Sequence, residues 1–201
     1  MPSALLEPVA PPPLESLPRK KWTRCEIEEL SSMGWFAGEH YELIDGELID
    51  KVGKGESHVV AVMLIHRWLV GIFGFLRVRK EDPIDVARED NERNEPEPDL
   101  VVLREPIQHL QMRKPRPEDI LLAIEVADST LPMDQTKKAD LYARACIPDY
   151  WILDLKNRRM IVHREQAAGK YASVVAYSSD ESLSPLAAPQ SEFRVAVAFG
   201  G

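Results

Sequence analysis

Apolar and polar positions change period several times along the chain, and each change predicts an element. Thr23 and Glu26 have the spacing of a capping box, placing a short helix from there to about Met33. In residues 41–49, Asp45-Gly46 separates two apolar-rich runs, a hairpin signal because both turn positions favour positive φ. Residues 57–73 are apolar on most faces of a helix and predict a buried one. Two strand-like stretches, 75–79 and 83–88, precede a polar loop over 89–98. Short apolar runs at 100–103 and 121–127 read as buried strands. The proline-rich segment 104–118 between them allows one helical turn near 107–112. A helix over 134–146 with Asp134 as N-cap, a strand over 150–154, paired strands at 160–164 and 171–177, and a last strand over 193–198 complete the pattern. Helices alternating with strands predict an α/β fold: a mixed central sheet flanked by helices, with an N-terminal hairpin and extra C-terminal strands.

Composition adds boundaries. Six of the sixteen prolines lie in residues 1–20, which read as a proline-rich arm, leaving residues 21–201 as one domain. Only two cysteines, Cys25 and Cys146, are present, without CxxC spacing, so a reduced, cytoplasmic protein is expected, with Cys146 an inert small hydrophobe on the apolar side of its helix. The longest apolar stretch, 59–76, carries His66 and Arg67 at its centre, which argues against a membrane span. The formal net charge is −8, but residues 81–99 hold nine acidic residues against two arginines and account for most of it. Cations cluster around Arg19–Arg24, Arg77–Lys80, Arg113–Arg116 and Lys156–Arg159, which leaves either a phosphate-binding face or ordinary solvated charge. The four tryptophans sit in apolar patterns and are core candidates.

The candidate chemistry centres on three residues. Alternation through 121–127 puts Leu121, Ala123, Glu125 and Ala127 on one face of a strand apolar on both faces. A carboxylate there must be paired, protonated or bound to metal. Asp99 follows Pro98 at the start of the preceding strand, on the face of Val101 and Leu103. If the two strands are neighbours, Asp99 and Glu125 can converge on one hard divalent cation, Mg²⁺ or Mn²⁺. Lys138 shares a helix face with Leu141, Tyr142 and Ala145, whereas Lys137 lies about 100° away. Either Lys138 points inward to orient or deprotonate a water, or it snorkels out along its methylenes. Phosphate-binding glycine loops, HExxH and GxSxG are absent, and the five histidines lack metal-site spacing.

These residues carry a resemblance. Pro98-Asp99 followed by Glu125 in Ile-Glu-Val resembles the PD-(D/E)xK nuclease superfamily. More closely, the segments 41–48, 96–100, 123–126 with Ser129-Thr130, 138–145 and 148–151 resemble the Uma-two family of restriction-endonuclease-like proteins. The superfamily lysine two residues after the glutamate is here Ala127, and the resemblance shifts that role to Lys138 on the following helix. It implies a restriction-endonuclease-like core and a Mg²⁺-dependent DNA endonuclease in which Mn²⁺ can substitute. Asp99, Glu125 and the carbonyl of Val126 would bind the metal, Lys138 would be catalytic, and His58 and the hairpin residue Glu47 would belong to the site. Cutting both strands of DNA favours a homodimer. The competing readings are a nuclease fold that binds without cleaving, and a structural module whose buried Glu and Lys merely pair.

Overall fold

In the computed structural model, residues 19–51, 55–110 and 112–201 are described. The expected arm therefore lies outside the described residues except for Arg19 and Lys20. Thr23 caps α1 (Arg24–Ser32) through the reciprocal bonds with Glu26 that the sequence predicts. Strands β1 (Tyr41–Ile44) and β2 (Glu47–Asp50) form the hairpin, with Ile44 opposite Glu47 and a two-residue turn in which Asp45 has φ 50° and Gly46 φ 71°. Both values fit a turn whose twist matches the flanking strands. Helix α2 (Glu56–Phe73) follows.

A six-stranded sheet organises the rest. Its strands are β3 (Val78–Lys80), β4 (Leu100–Leu103), β5 (Ile120–Ala127), β6 (Asp149–Asp154), β7 (Arg159–Ala167) and β8 (Lys170–Ser178), adjacent in that order. Only β5 and β6 are parallel. A parallel pair needs a crossover, here α3 (Leu131–Met133), a π-helical stretch (Asp134–Lys138) and α4 (Ala139–Arg144). Two apolar layers cover the sheet. On one side α2 supplies Ala61, Val62, Ile65 and Leu69 against Leu122, Ile124, Val126 and Trp151. Trp68 stacks on Trp151 with ring centroids 6.3 Å apart, and β9 (Ser182–Leu183), β10 (Phe193–Arg194) and the 3₁₀ turn Val195–Phe199 close that side. On the other, Leu141, Tyr142 and Ala145 pack with Ile44, Ile84, Val101, Ala123 and Ala127.

Several expectations are corrected. Residues 75–79 are a 3₁₀ turn (Phe75–Arg77) leading into the three-residue β3, and 83–88 form no strand. The last segment is strand only at β10 before turning into 3₁₀ geometry. The crossover helix starts at Leu131, where Pro132 suits a first turn, so Asp134 is inside the helix and buried instead of capping it. Leu121 packs with the α2 side, because the β4–β5 register shifts between Val102 and Leu103 and skips it. Helix α2 is long and apolar enough to cross a membrane by length and composition, yet one face is seated in the core while Val59, Val60 and Met63 are exposed. Trp35 and Cys146 are also exposed.

Candidate active site

The register of the sheet brings the expected residues together. Leu100 lies opposite Ile124, so Asp99, one step before β4, stands beside Glu125 at the carboxyl end of β5. Ligands of open α/β sheets bind outside that end of the strands. A cleft of about 290 Å³ opens here, lined by Glu42, His58, Asp99, Glu125, Val126, Asp134 and Lys138 among others. Asp99 Oδ2 accepts the Val126 N–H at 2.8 Å and lies 3.2 Å from His58 Nε2. The Val126 amide thus orients Asp99, a contact that the sequence reading, which looked to the Val126 carbonyl, did not include. His58 enters from the first turn of α2, and its Nδ1 is buried without a hydrogen-bond partner among the described residues.

Lys138 is the hub of the floor of the cleft. Its side chain is 3% exposed, and Nζ lies 3.0 Å from Glu125 Oε1, 2.8 Å from Glu42 Oε1 and 3.7 Å from Asp134 Oδ1. Inward-pointing Lys138 and outward-pointing Lys137, which pairs with Glu47 at 3.1 Å, match the helical-face argument. The Tyr142 hydroxyl donates to the same Glu125 oxygen at 3.0 Å. Burial opposes the charge on Lys138, but Glu125, Glu42 and Asp134 outweigh it and hold the amine well above the ordinary lysine value. An amine held in that state is suited to donating hydrogen bonds and to offsetting negative charge. Burial pushes the Glu125 carboxyl up to about 8, against the pull of Lys138 and with Asp134, Asp99 and Glu42 adding to the rise. Asp134 is raised chiefly by burial as well, against Lys138 and the Thr130 hydroxyl, which donates to its Oδ2 at 2.6 Å.

Glu42 and Asp134 were missed as site residues. Glu42 sits among Tyr41, Leu43 and Ile44, the same carboxylate-in-an-apolar-run signal that marked Glu125, and its Oε2 accepts the Glu97 N–H at 3.3 Å. Asp134 lies four residues before Lys138, hence on its helix face. Glu47 does not line the cleft; it is partly exposed and pairs with Lys21 and Lys137, which lower its pKa.

Among the described residues, no group of three or more His, Cys, Asp or Glu side chains is arranged to hold a metal ion. Mg²⁺, however, is commonly held by one or two carboxylates, with waters and substrate phosphates completing the shell. Two sheet-end carboxylates on one cleft, Asp99 and Glu125, fit that requirement. Asp134 Oδ1 is buried and makes no hydrogen bond among the described residues, with the Lys138 ammonium 3.7 Å away.

A mixed sheet with an acidic, lysine-bearing cleft at the end of its single parallel pair defines a nuclease-like α/β protein. Residues 27–198 match the Uma2 family, described as "Putative restriction endonuclease", and the chain belongs to that family. A solved structure described as "a putative nuclease belonging to DUF820", from Anabaena variabilis, has the same fold, with a TM-score of 0.60 at 15% identity over 80% of this chain and 89% of that one. No curated protein matches the sequence.

Proposed function

We propose that the cleft hydrolyses phosphodiester bonds in DNA with Mg²⁺, or Mn²⁺ in its place. The observation that carries this reading is the seating of Lys138 Nζ against Glu125 Oε1, with Asp99 beside Glu125 at the sheet end of one cleft. Asp99 and Glu125 would hold the cation, which when bound supplies Lewis-acid polarisation of the phosphoryl oxygen and a lower water pKa. His58 and the Val126 amide fix Asp99; Tyr142 and Lys138 fix Glu125. With Glu42 and Asp134 keeping it charged, Lys138 would donate to the negative charge that grows on the phosphoryl oxygens as the new P–O bond forms and the bond to the leaving sugar oxygen breaks, the water giving its proton to solvent and the leaving oxygen taking one from it. Glu47 would at most act through Lys137 at the rim.

The test is cleavage of supercoiled, linear and single-stranded DNA by the purified protein with Mg²⁺ or Mn²⁺. Lys138→Ala should cost on the order of 10²-fold or more in rate, as loss of a preorganised donor typically does. Lys137→Ala should cost only a few-fold, through phosphate attraction that fades with salt. Equal losses in the two variants, or no cleavage of any DNA form with either metal, would overturn the reading.

A further inference from the structure

Helix α2 carries more apolar surface than the core of one molecule uses. Of its eighteen residues only His58, Ala61, Val62, Ile65 and Leu69 are buried. At about 100° per residue these cluster on the side turned to the sheet, and Glu56, Val60, Met63, Arg67 and Gly71 fall on the opposite side. All five of those outer residues are exposed, Met63 by 61% and Val60 by 40%, and Val59 on their flank by 37%. Among the described residues, the side chains of Glu56 and Arg67 have no ion-pair or hydrogen-bond partner. Solvent therefore meets a ridge of two apolar residues bounded by one anion and one cation.

The order along this ridge is complementary to itself when reversed. Glu56, Val60, Met63 and Arg67 are spaced by four, three and four residues, the spacing of a coiled-coil seam. Consider two copies of α2 packed antiparallel about a twofold axis at the level between Ala61 and Val62. Val60 of each copy then meets Met63 of the other, and Glu56 of each meets Arg67 of the other. The overlap from Glu56 to Arg67 is about 18 Å of helix. Moving the axis half a heptad, to the level of Ile65, keeps the seam but sets Met63 against Arg67 and Glu56 against Gly74. It also brings the two arginine positions within about 6 Å of each other along the axis. The charges thus select the first register. A lipid surface fits this face less well, because interfacial helices are rich in lysine and arginine and the outer side of α2 has one cation and one anion.

We propose that the exposed face of α2 is a homodimer interface, packed antiparallel on α2 of a second copy with Val60 and Met63 at its centre and Glu56–Arg67 pairs at its ends. Such an interface is isologous, as a closed dimer requires. Apolar contact supplies the attraction, and the ion pairs, weak in themselves, fix the register. The ridge lies on the side of α2 away from His58, so the dimer forms whether or not the cleft cleaves DNA.

Sedimentation equilibrium of the full chain at concentrations up to about 100 μM, a range suited to a modest interface, should show a dimer. Met63→Asp should be monomeric, with the circular dichroism and melting temperature of a folded protein, since the side chain is exposed in the single copy. Arg67→Glu and Glu56→Arg each oppose like charges at both ends of the seam and should each weaken the dimer on the order of 10-fold or more. Mixed in equal amounts, these two variants should recover wild-type association as a heterodimer, and the double variant Glu56→Arg, Arg67→Glu should recover it as a homodimer. A wild-type protein that stays monomeric, whether or not it binds anionic phospholipid vesicles, would overturn the proposal. So would a Met63→Asp variant as dimeric as wild type, or a mixture that associates no better than its parts. Should Met63→Asp fail to fold, the charge exchange decides alone, because Glu56 and Arg67 have no partner to lose among the described residues.

Discussion

Single residues in this protein derive their chemistry from what surrounds them more than from their type. Lys138 is held charged by three carboxylates, and Glu125 is pushed toward its neutral form by burial. Asp99 is tied to a backbone amide and an imidazole. His163 is an instructive contrast on the same face of the sheet, next to Tyr150. It is buried between Tyr150 and Tyr171, its Nδ1 lacks a hydrogen-bond partner among the described residues, and burial lowers its pKa to about 4. The folded chain keeps this imidazole neutral while the unfolded chain binds a proton near pH 6.5. The unfolded state therefore takes up more protons between those values, and stability falls as pH drops from about 6.5 to about 4. His163→Phe should abolish an acid-limb loss on the order of 2–3 kcal/mol. Urea melts of both proteins at pH 7 and pH 4.5 test this, and an unchanged pH dependence in the variant would assign the acid sensitivity elsewhere.

At the scale of elements, the hairpin and the π-helical crossover carry the site's unusual members. Glu42 reaches Lys138 only because the hairpin folds onto the segment after α2, through paired bonds between Leu43 and Glu95 and the bond from Gly46 N–H to Arg93 O. Gly46 is needed on two counts: its φ of 71° and a would-be Cβ 2.9 Å from Lys21 Cβ and 3.1 Å from Trp22 O. Gly46→Ala should cost about 2–3 kcal/mol, combining left-handed strain with the clash. Gly71 of α2 has open space around it, so Gly71→Ala should stabilise by about 0.5–1 kcal/mol. Thermal melts of the two variants should move in opposite directions; a neutral Gly46→Ala would mean that the turn tolerates repacking against Lys21. The π stretch places Asp134 and Lys138 together inside the cleft, an arrangement frequent at functional sites.

Across the whole molecule, charge that looks segregated in the sequence resolves into local pairs. The acidic run over 81–99 is met by Arg24 at Asp85 (2.6 Å), Arg144 at Asp90 (2.7 Å), Lys114 at Glu95 and Lys51 at Glu97. Most of the basic clusters are consumed in the same way, including Lys20 with Glu26 and Arg113 with Asp119. In the cleft, three buried carboxyls, Glu42, Glu125 and Asp134, surround Lys138. A divalent cation bound there should stabilise the fold by linkage, about 2.7 kcal/mol at a hundredfold excess over Kd, or roughly 5–10 °C in a domain of this size. Differential scanning fluorimetry with Mn²⁺ should show that rise in the wild type and lose it in Asp99→Asn. Full retention of the shift in the variant would remove Asp99 from the ligand set.

The sequence by itself determined the elements that rest on local rules. The capping box at Thr23, the Asp45-Gly46 turn and the inward face of Lys138 each follow from contacts a few residues apart. The buried placement of Glu125 followed because a strand apolar on both faces leaves a carboxylate nowhere wet to go. The neighbouring of Asp99 and Glu125 was conditional in the sequence, since strand order is a long-range property, and the register of β4 on β5 settled it. Only the tertiary structure brought Glu42 across 96 positions to Lys138, exposed Trp35, replaced the expected Asp134 cap with a π-helical turn, and moved Glu47 to the rim. The physical reason is common to these cases. Where a side chain ends up depends on which distant surface is folded against it, and a periodic pattern specifies that a face is covered without specifying what covers it.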